Sequence, residues 1–247
     1  MVERDRRTAI ATFYCEGPLV AGIPVTPSDD VRHHLRARRL DDGDAIQLTN
    51  GEGLCAAATI RARGKRDIDL AISSVTSVAR QPAIHLRAPV ADRDRMLWLA
   101  EKATELEVAS WQGVRFRRSA SVTPRGEGEG FLSKMRARMV SALEQSGGAW
   151  LPPILPDADV DSAAREAGLR VVMDPSGAPL TSLLGRHSAD GVTLMVGPEG
   201  GIEDDELALL ETGGWLRARL GAATLRFETA AVAAIGVIRA AQESPEG

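Results

Sequence analysis

The 247-residue chain is predicted to be α/β, with a small β-rich part preceding a larger part built on a mostly parallel sheet. Three observations lead there. Residues 8–79 carry short apolar or alternating runs separated by turn residues. Gln81-Pro82 then interrupts the pattern, and from Ile84 onward strand-length apolar runs alternate with segments of helical spacing.

In the first part, Thr8 to Tyr14, Asp44 to Thr49, Leu54 to Arg63 and Ile68 to Val78 read as strands, with Asn50-Gly51 as a hairpin turn. One helix interrupts them. Ser28 is its N-cap, Asp29 and Asp30 occupy the first turn, and it runs through His33 and His34 to Arg39. In the second part Ile84 to Val90 is a strand, followed by a helix from Asp92 with Met96, Leu99, Ala103 and Leu106 at helical spacing. A further helix covers residues 131–146, with Leu132, Met135, Met139 and Leu143 on one face and Gly147-Gly148 at its end. Strands follow at Leu169 to Met173, Val192 to Val196 and Trp215 to Leu220, and Thr229 to Ala241 closes the chain as an apolar helix. The expected domains are therefore residues 1–80 and 81–247, without internal repeats.

Composition narrows the classes. Cys15 and Cys55 have no paired spacing, which argues against a disulfide framework or a zinc site. His33 and His34 cannot share a helix face and lack an i+4 partner, so no metal is expected; one should be at the surface and the other in packing. The charged start Met1 to Arg7 leads into no signal-type apolar region, and nowhere do about 18 apolar residues run together, so the expectation is a cytoplasmic protein without a membrane span. The net charge is −4, yet residues 115–138 hold seven Lys or Arg against two Glu, the kind of concentration that phosphate contacts require.

The most informative residues come late. Gly197-Pro198-Glu199-Gly200-Gly201 follows the apolar run Val192 to Val196, and Leu220-Gly221 with Leu225-Arg226-Phe227-Glu228-Thr229-Ala230 comes one short α/β unit later. Glycines beside a proline let the backbone turn sharply and approach a ligand closely. A flat uncharged ring can be gripped there by main-chain groups. The same residues also fit a plain strand-to-helix turn, with Glu203, Asp204 and Asp205 in the first helical turn.

These two segments resemble the SPOUT class of methyltransferases, specifically the bacterial 16S ribosomal RNA (uracil-N3)-methyltransferase family of RsmE type. The resemblance extends in order over nearly the whole chain: His33-His34-Leu35-Arg36 with Arg39-Leu40 and Gly43-Asp44, Glu101 to Leu106, Arg118-Ser119, Glu144-Gln145, and the two late loops. It implies a PUA-like RNA-gripping β-barrel in residues 1–80 and a SPOUT trefoil-knot domain in residues 81–247, working as a homodimer. It also implies S-adenosylmethionine as methyl donor, held by Met173, Gly197, Glu199, Gly200, Gly201, Leu220, Gly221 and Leu225. The implied substrate is 16S rRNA or the assembled small ribosomal subunit, contacted through His33, Arg36, Arg39, Lys102, Arg117, Arg118 and Gln145. Arg226 is expected to stabilise charge on the uracil oxygens, and Glu228 to orient the base or accept its N3 proton. The opposing reading has Arg226 and Glu228 capping and pairing at a helix end.

The chain departs from the family pattern at four places. Glu107 replaces a glycine, Gly148 and Thr12 stand where arginines are usual, and Phe227 replaces a threonine. Gly126-Glu127-Gly128-Glu129-Gly130 mimics a nucleotide-binding spacing but follows no apolar strand and carries two glutamates, so it reads as a flexible loop tip. Two other functions fit the same features: a SPOUT enzyme modifying another RNA position, such as a ribose 2′-oxygen, and a non-catalytic RNA-binding protein of ribosome assembly.

Overall fold

A computed structural model of the chain describes residues 11–62, 68–119, 124–163, 168–184 and 191–243. The chain forms two compact units, residues 1–80 with 143–151 and residues 81–142 with 152–247. Thr8 to Ile10 and Arg63, expected in strands, lie outside the described residues.

In the first unit, β1 (Thr12–Tyr14), β2 (Ala45–Thr49), β3 (Leu54–Ala62) and β4 (Ile68–Ser77) form one sheet in that order. β1 runs parallel to β2 and the other pairs are antiparallel. The turn is longer than a two-residue hairpin. Asn50 Oδ1 accepts the N–H groups of Glu52 and Leu54 at 2.9 and 3.0 Å, so the Asn side chain organises a loop over residues 50–53. At Gly53, φ is +93°, and an added Cβ would clash with the Trp150 indole, lying 2.6 Å from Cη2 and closer still to Cζ2. The same indole donates to the carbonyl of Val78 at 3.1 Å and carries the Arg80 guanidinium 4.1 Å above its ring.

Helix α1 (Asp29–Ala37) begins where Ser28 Oγ accepts the N–H of Val31 at 3.2 Å. Val31 and Leu35, one turn apart, enter a core with Phe13, Ile46, Leu48, Ile60 and Leu70. The helix ends in a Schellman motif. Leu40 N–H donates to Leu35 O and Arg39 N–H to Arg36 O, both at 3.0 Å, and Arg39 takes the left-handed conformation at φ +56°. His33 and His34 are both exposed, so neither is the packing residue expected from sequence. The i and i+4 positions that reach the core belong to Val31 and Leu35.

In the second unit six parallel strands form one sheet in the order Leu216–Arg219, Leu169–Pro179, Val192–Val196, Ile84–Pro89, Ser110–Arg115, Ile154–Asp159. The chain runs β5 (Ile84–Pro89), α2 (Arg93–Glu105), β6 (Ser110–Arg115), a 3-10 turn (Arg117–Ser119), α3 (Glu129–Ser146) and β7 (Ile154–Asp159). It continues through β8 (Leu169–Pro179), α4 (Leu180–Leu184), β9 (Val192–Val196), α5 (Asp204–Thr212), β10 (Leu216–Arg219) and α6 (Phe227–Glu243). Every residue of β9 is buried, as its unbroken apolar run requires in a parallel sheet covered on both faces. α6 is fastened to the end of α2 by Arg239, which donates to the carbonyls of Pro82 at 2.6 Å and Leu106 at 3.1 Å.

Three expectations need correction. On α3 the buried face is Phe131, Met135, Met139 and Leu143, whereas Leu132 is 38% exposed. Phe131 stands one turn before Met135 and takes the place given to Leu132. β8 does not stop at Met173 but runs to Pro179, because its later half pairs with β10 across a register shift. Gly126 is no flexible tip: its N–H donates to Ala91 O at 3.0 Å, and a Cβ there would strike Met96 and Phe131 at 2.5 and 2.6 Å.

Candidate functional site

Three bends at the ends of neighbouring strands line an open cleft with a volume of about 140 Å³. Met173, Asp174 and Pro175 of β8 form one wall, and the loop after β9 forms the second with Gly197, Glu199 and Gly201. The segment from Ala218 to Phe227, including Leu220, Gly221 and Leu225, forms the third. Of the eight residues expected around the donor, seven line this cleft; Gly200 does not.

The loop after β9 needs its small residues. A Cβ on Gly197 would come within 2.5 Å of Ile202 Cγ1, and Gly201 holds φ at +78° while its N–H donates to Pro198 O at 2.9 Å. Gly200 is constrained from behind, where a Cβ would meet Arg118 Cβ at 3.1 Å. The 3-10 turn latches this loop in place. Arg118 donates from Nη1 to Gly200 O at 2.7 Å and grips Glu203 through Nε at 2.7 Å and Nη2 at 3.1 Å. The guanidinium holds the Glu203 carboxyl below its ordinary pKa. Arg117 donates its N–H to Glu206 Oε1 at 3.0 Å and pairs through its guanidinium with Asp205. Both arginines, expected at RNA, are thus engaged inside the fold while remaining exposed.

A row of alternating charges borders the cleft. Arg226 Nη1 lies 3.6 Å from Glu199 Oε1, the same carboxylate contacts Arg95, and Arg95 Nε lies 4.0 Å from Glu228 Oε1. Arg226 and Glu228 therefore do not pair with each other; each faces a different link of the row. The Glu228 side chain is 13% exposed, and its Oε2 is buried without a hydrogen-bond partner. Asp94, Arg95, Trp98, Glu228 and Thr229 line a recess at this end. Arg95 escaped the sequence reading. Its one signal was electrostatic: a cation in the first turn of a helix opposes the macrodipole and needs carboxylates nearby to hold it.

The remaining expected RNA contacts are scattered. His33, Arg36 and Arg39 are exposed on or just after α1, and Gln145 is exposed near the end of α3. Lys102 is held between Glu101 at 2.9 Å and Glu105 at 2.8 Å, and these hydrogen bonds raise its pKa. Glu144 is buried; its Oε1 accepts the Tyr14 N–H at 2.9 Å and its Oε2 lies 3.6 Å from His34 Nδ1. Among the described residues, no cluster of three or more His, Cys, Asp or Glu could hold a metal ion, and no helix is long and apolar enough to cross a membrane.

An α/β domain with a glycine-walled cleft at the carboxyl ends of parallel strands has the form of a ligand-binding enzyme domain. A family model described as an RNA methyltransferase domain matches residues 79–239, and the chain belongs to that family. A second model, an RNA methyltransferase PUA domain, matches residues 27–73. The chain is 28% identical over 239 residues to ribosomal RNA small subunit methyltransferase E of Mycobacterium tuberculosis, covering 92% of this chain and 90% of that protein. It is 26% identical over 222 residues to the Rickettsia conorii protein of the same name, covering 86% and 87%. Among solved structures, ribosomal RNA small subunit methyltransferase E from Neisseria gonorrhoeae, bound to S-adenosyl methionine, superposes with a TM-score of 0.85 at 26% identity, covering 94% of this chain and 97% of that one.

Proposed function

We propose that this chain is an S-adenosylmethionine-dependent methyltransferase acting on N3 of a specific uridine in 16S rRNA. The observation that carries the reading is the cleft itself. Its lining is more apolar than polar and includes Gly197, Gly201 and Gly221, and at Gly197 even a methyl group would collide with Ile202. A flat adenine ring fits such walls, with Met173, Gly197, Glu199, Gly201, Leu220, Gly221 and Leu225 around the donor and Gly200 fixing the loop. S-adenosylmethionine there supplies a methyl group already activated by its sulfonium.

The protein's own residues then have two tasks. They must present N3 of an unpaired or extruded uridine to the cleft, and they must deal with its proton and the charge that proton leaves behind. In this reading Glu228, 13% exposed and with one oxygen lacking a donor, orients the base or accepts the proton. Arg226 borders the cleft beside Glu199, and its guanidinium neutralises charge building on the uracil oxygens. His33, Arg36 and Arg39 on the first unit, with Lys102, Arg117, Arg118 and Gln145, are the proposed RNA contacts. The same resemblance supports a trefoil knot, a homodimer and a cytoplasmic setting, with naked 16S rRNA or the assembled small subunit as partner.

Nucleoside mass spectrometry tests the assignment. Small subunits lacking the modification, incubated with the protein and donor, should yield 3-methyluridine at one site. A methylated ribose or another base would replace the N3 assignment, and no product with demonstrated donor binding would leave a non-catalytic binder.

A further inference from the structure

We propose that Arg95 is a positioning residue that yokes the cleft carboxylate Glu199 to the base-side carboxylate Glu228. The inference rests on the function proposed above for the cleft and for Glu228.

Arg95 stands in the first turn of α2, where Asp92 Oδ1 accepts its N–H at 3.0 Å. The positive end of the helix dipole disfavours a guanidinium there. Two carboxylates from separate elements compensate. Glu199, from the loop after β9, contacts Arg95 directly, and Glu228, from the first turn of α6, lies 4.0 Å away. Three segments remote in sequence therefore meet at one cation. Arg226, adjacent to α6, lies 3.6 Å from the same Glu199 oxygen that contacts Arg95.

The burial of Glu228 makes this arrangement consequential. A largely buried carboxylate with one buried, unbonded oxygen is costly unless a cation stands nearby. Among the described residues Arg95 is the cation within ion-pair distance of Glu228. Without it, Glu228 loses the cation that holds it at the recess and turns outward, and an acceptor for the N3 proton is lost. The glycine loop of the donor cleft is packed against Ile202 and hydrogen-bonded by Arg118 rather than by Arg95. Donor binding and proton acceptance should therefore separate in an Arg95 variant, which simple loss of packing would not produce.

The test uses Arg95→Gln, Arg95→Lys, Glu228→Gln and the double variant Arg95→Gln/Glu228→Gln in the full chain. Calorimetry with S-adenosylmethionine should find Arg95→Gln within about threefold of wild-type affinity. Its single-turnover methylation rate at saturating donor should fall at least about 30-fold, within the range of a lost acid–base group. Arg95→Lys should recover part of that loss, and the double variant should be no slower than Glu228→Gln alone. Additive losses in the double variant, or a rate for Arg95→Gln within twofold of wild type, would overturn the yoke. Hydrogen exchange over Phe227 to Ala230 gives a readout independent of activity and should accelerate in Arg95→Gln. Unchanged protection there overturns the yoke even if the cleft binds the donor, whereas failure of the wild-type protein to bind the donor, with exchange still accelerated in Arg95→Gln, overturns the cleft assignment alone.

Discussion

Arg118 Nη1 donates a 2.7 Å hydrogen bond to the carbonyl oxygen of Gly200, so a side chain from the turn after β6 fixes the backbone of the loop after β9. This makes Arg118 a strut of the cleft as well as a candidate phosphate contact. Arg118→Ala should weaken S-adenosylmethionine binding by about 3- to 10-fold in calorimetry. Its effect on RNA affinity should be measured separately, as the change in salt dependence. Donor affinity equal to wild type would show that the loop holds its shape without the strut.

Arg39 and Glu107 are the two non-glycine residues with positive φ among the described residues, each at +56°. Both close Schellman motifs, Glu107 through Val108 N–H to Ala103 O and Glu107 N–H to Thr104 O, each at 3.0 Å. Glycine adopts this conformation without the side-chain clash that other residues suffer. Glu107→Gly should therefore stabilise the protein by about 0.5–1 kcal/mol, read as a rise in Tm.

Arg39→Gly should gain similar stability and lose RNA affinity, with the salt slope reduced by about one unit. An arginine kept where glycine is more stable calls for a role outside the fold. If Arg39→Gly left both affinity and salt slope unchanged, the RNA contact assigned to Arg39 would be removed.

A Cβ on Gly177 would lie 2.5 Å from Ala218 N and 2.6 Å from Arg217 O, at the register shift between β8 and β10. Main chain cannot yield as a flexible side chain does. Gly177→Ala should cost at least about 1–3 kcal/mol in chemical denaturation. Because this pair of strands carries two walls of the cleft, donor affinity should fall with it.

Burial, helped by the nearby Glu144 charge, raises the Cys15 thiol pKa from 9.0 to about 11. The neutral thiol is favoured in the folded state, so this contribution is complete below pH 9 and is lost as pH rises toward 11. Stability should therefore decline across that window by at most about 1.4 kcal/mol per pH unit from this group, and Cys15→Ala should flatten the decline. Native protein at pH 8 should resist alkylation at Cys15, as measured by mass spectrometry.

Much of this was legible in the sequence because the signals were local. Ser28 with Asp29 and Asp30 announced α1, and the unbroken run Val192 to Val196 announced β9 with the same boundaries. β6 and β7 escaped notice since Gln112 and Gly113 interrupt one, and Pro156 and Asp157 the other. Their strand character comes from pairing within a buried sheet, which no short window contains. The glycines of the cleft were visible as residues needing unusual backbone. Arg95 was not, because its meaning lies in Glu199 and Glu228, both more than a hundred residues away in sequence.

The return of residues 143–151 to the first unit sets a limit on dissecting this protein. A fragment ending at Arg80 would be deprived of Glu144, which takes the Tyr14 N–H, and of Trp150, on which Arg80 itself rests. Such a truncation would expose Gly53 and an unpaired strand amide to water. Any attempt to assay the amino-terminal module by itself would need that nine-residue stretch grafted back.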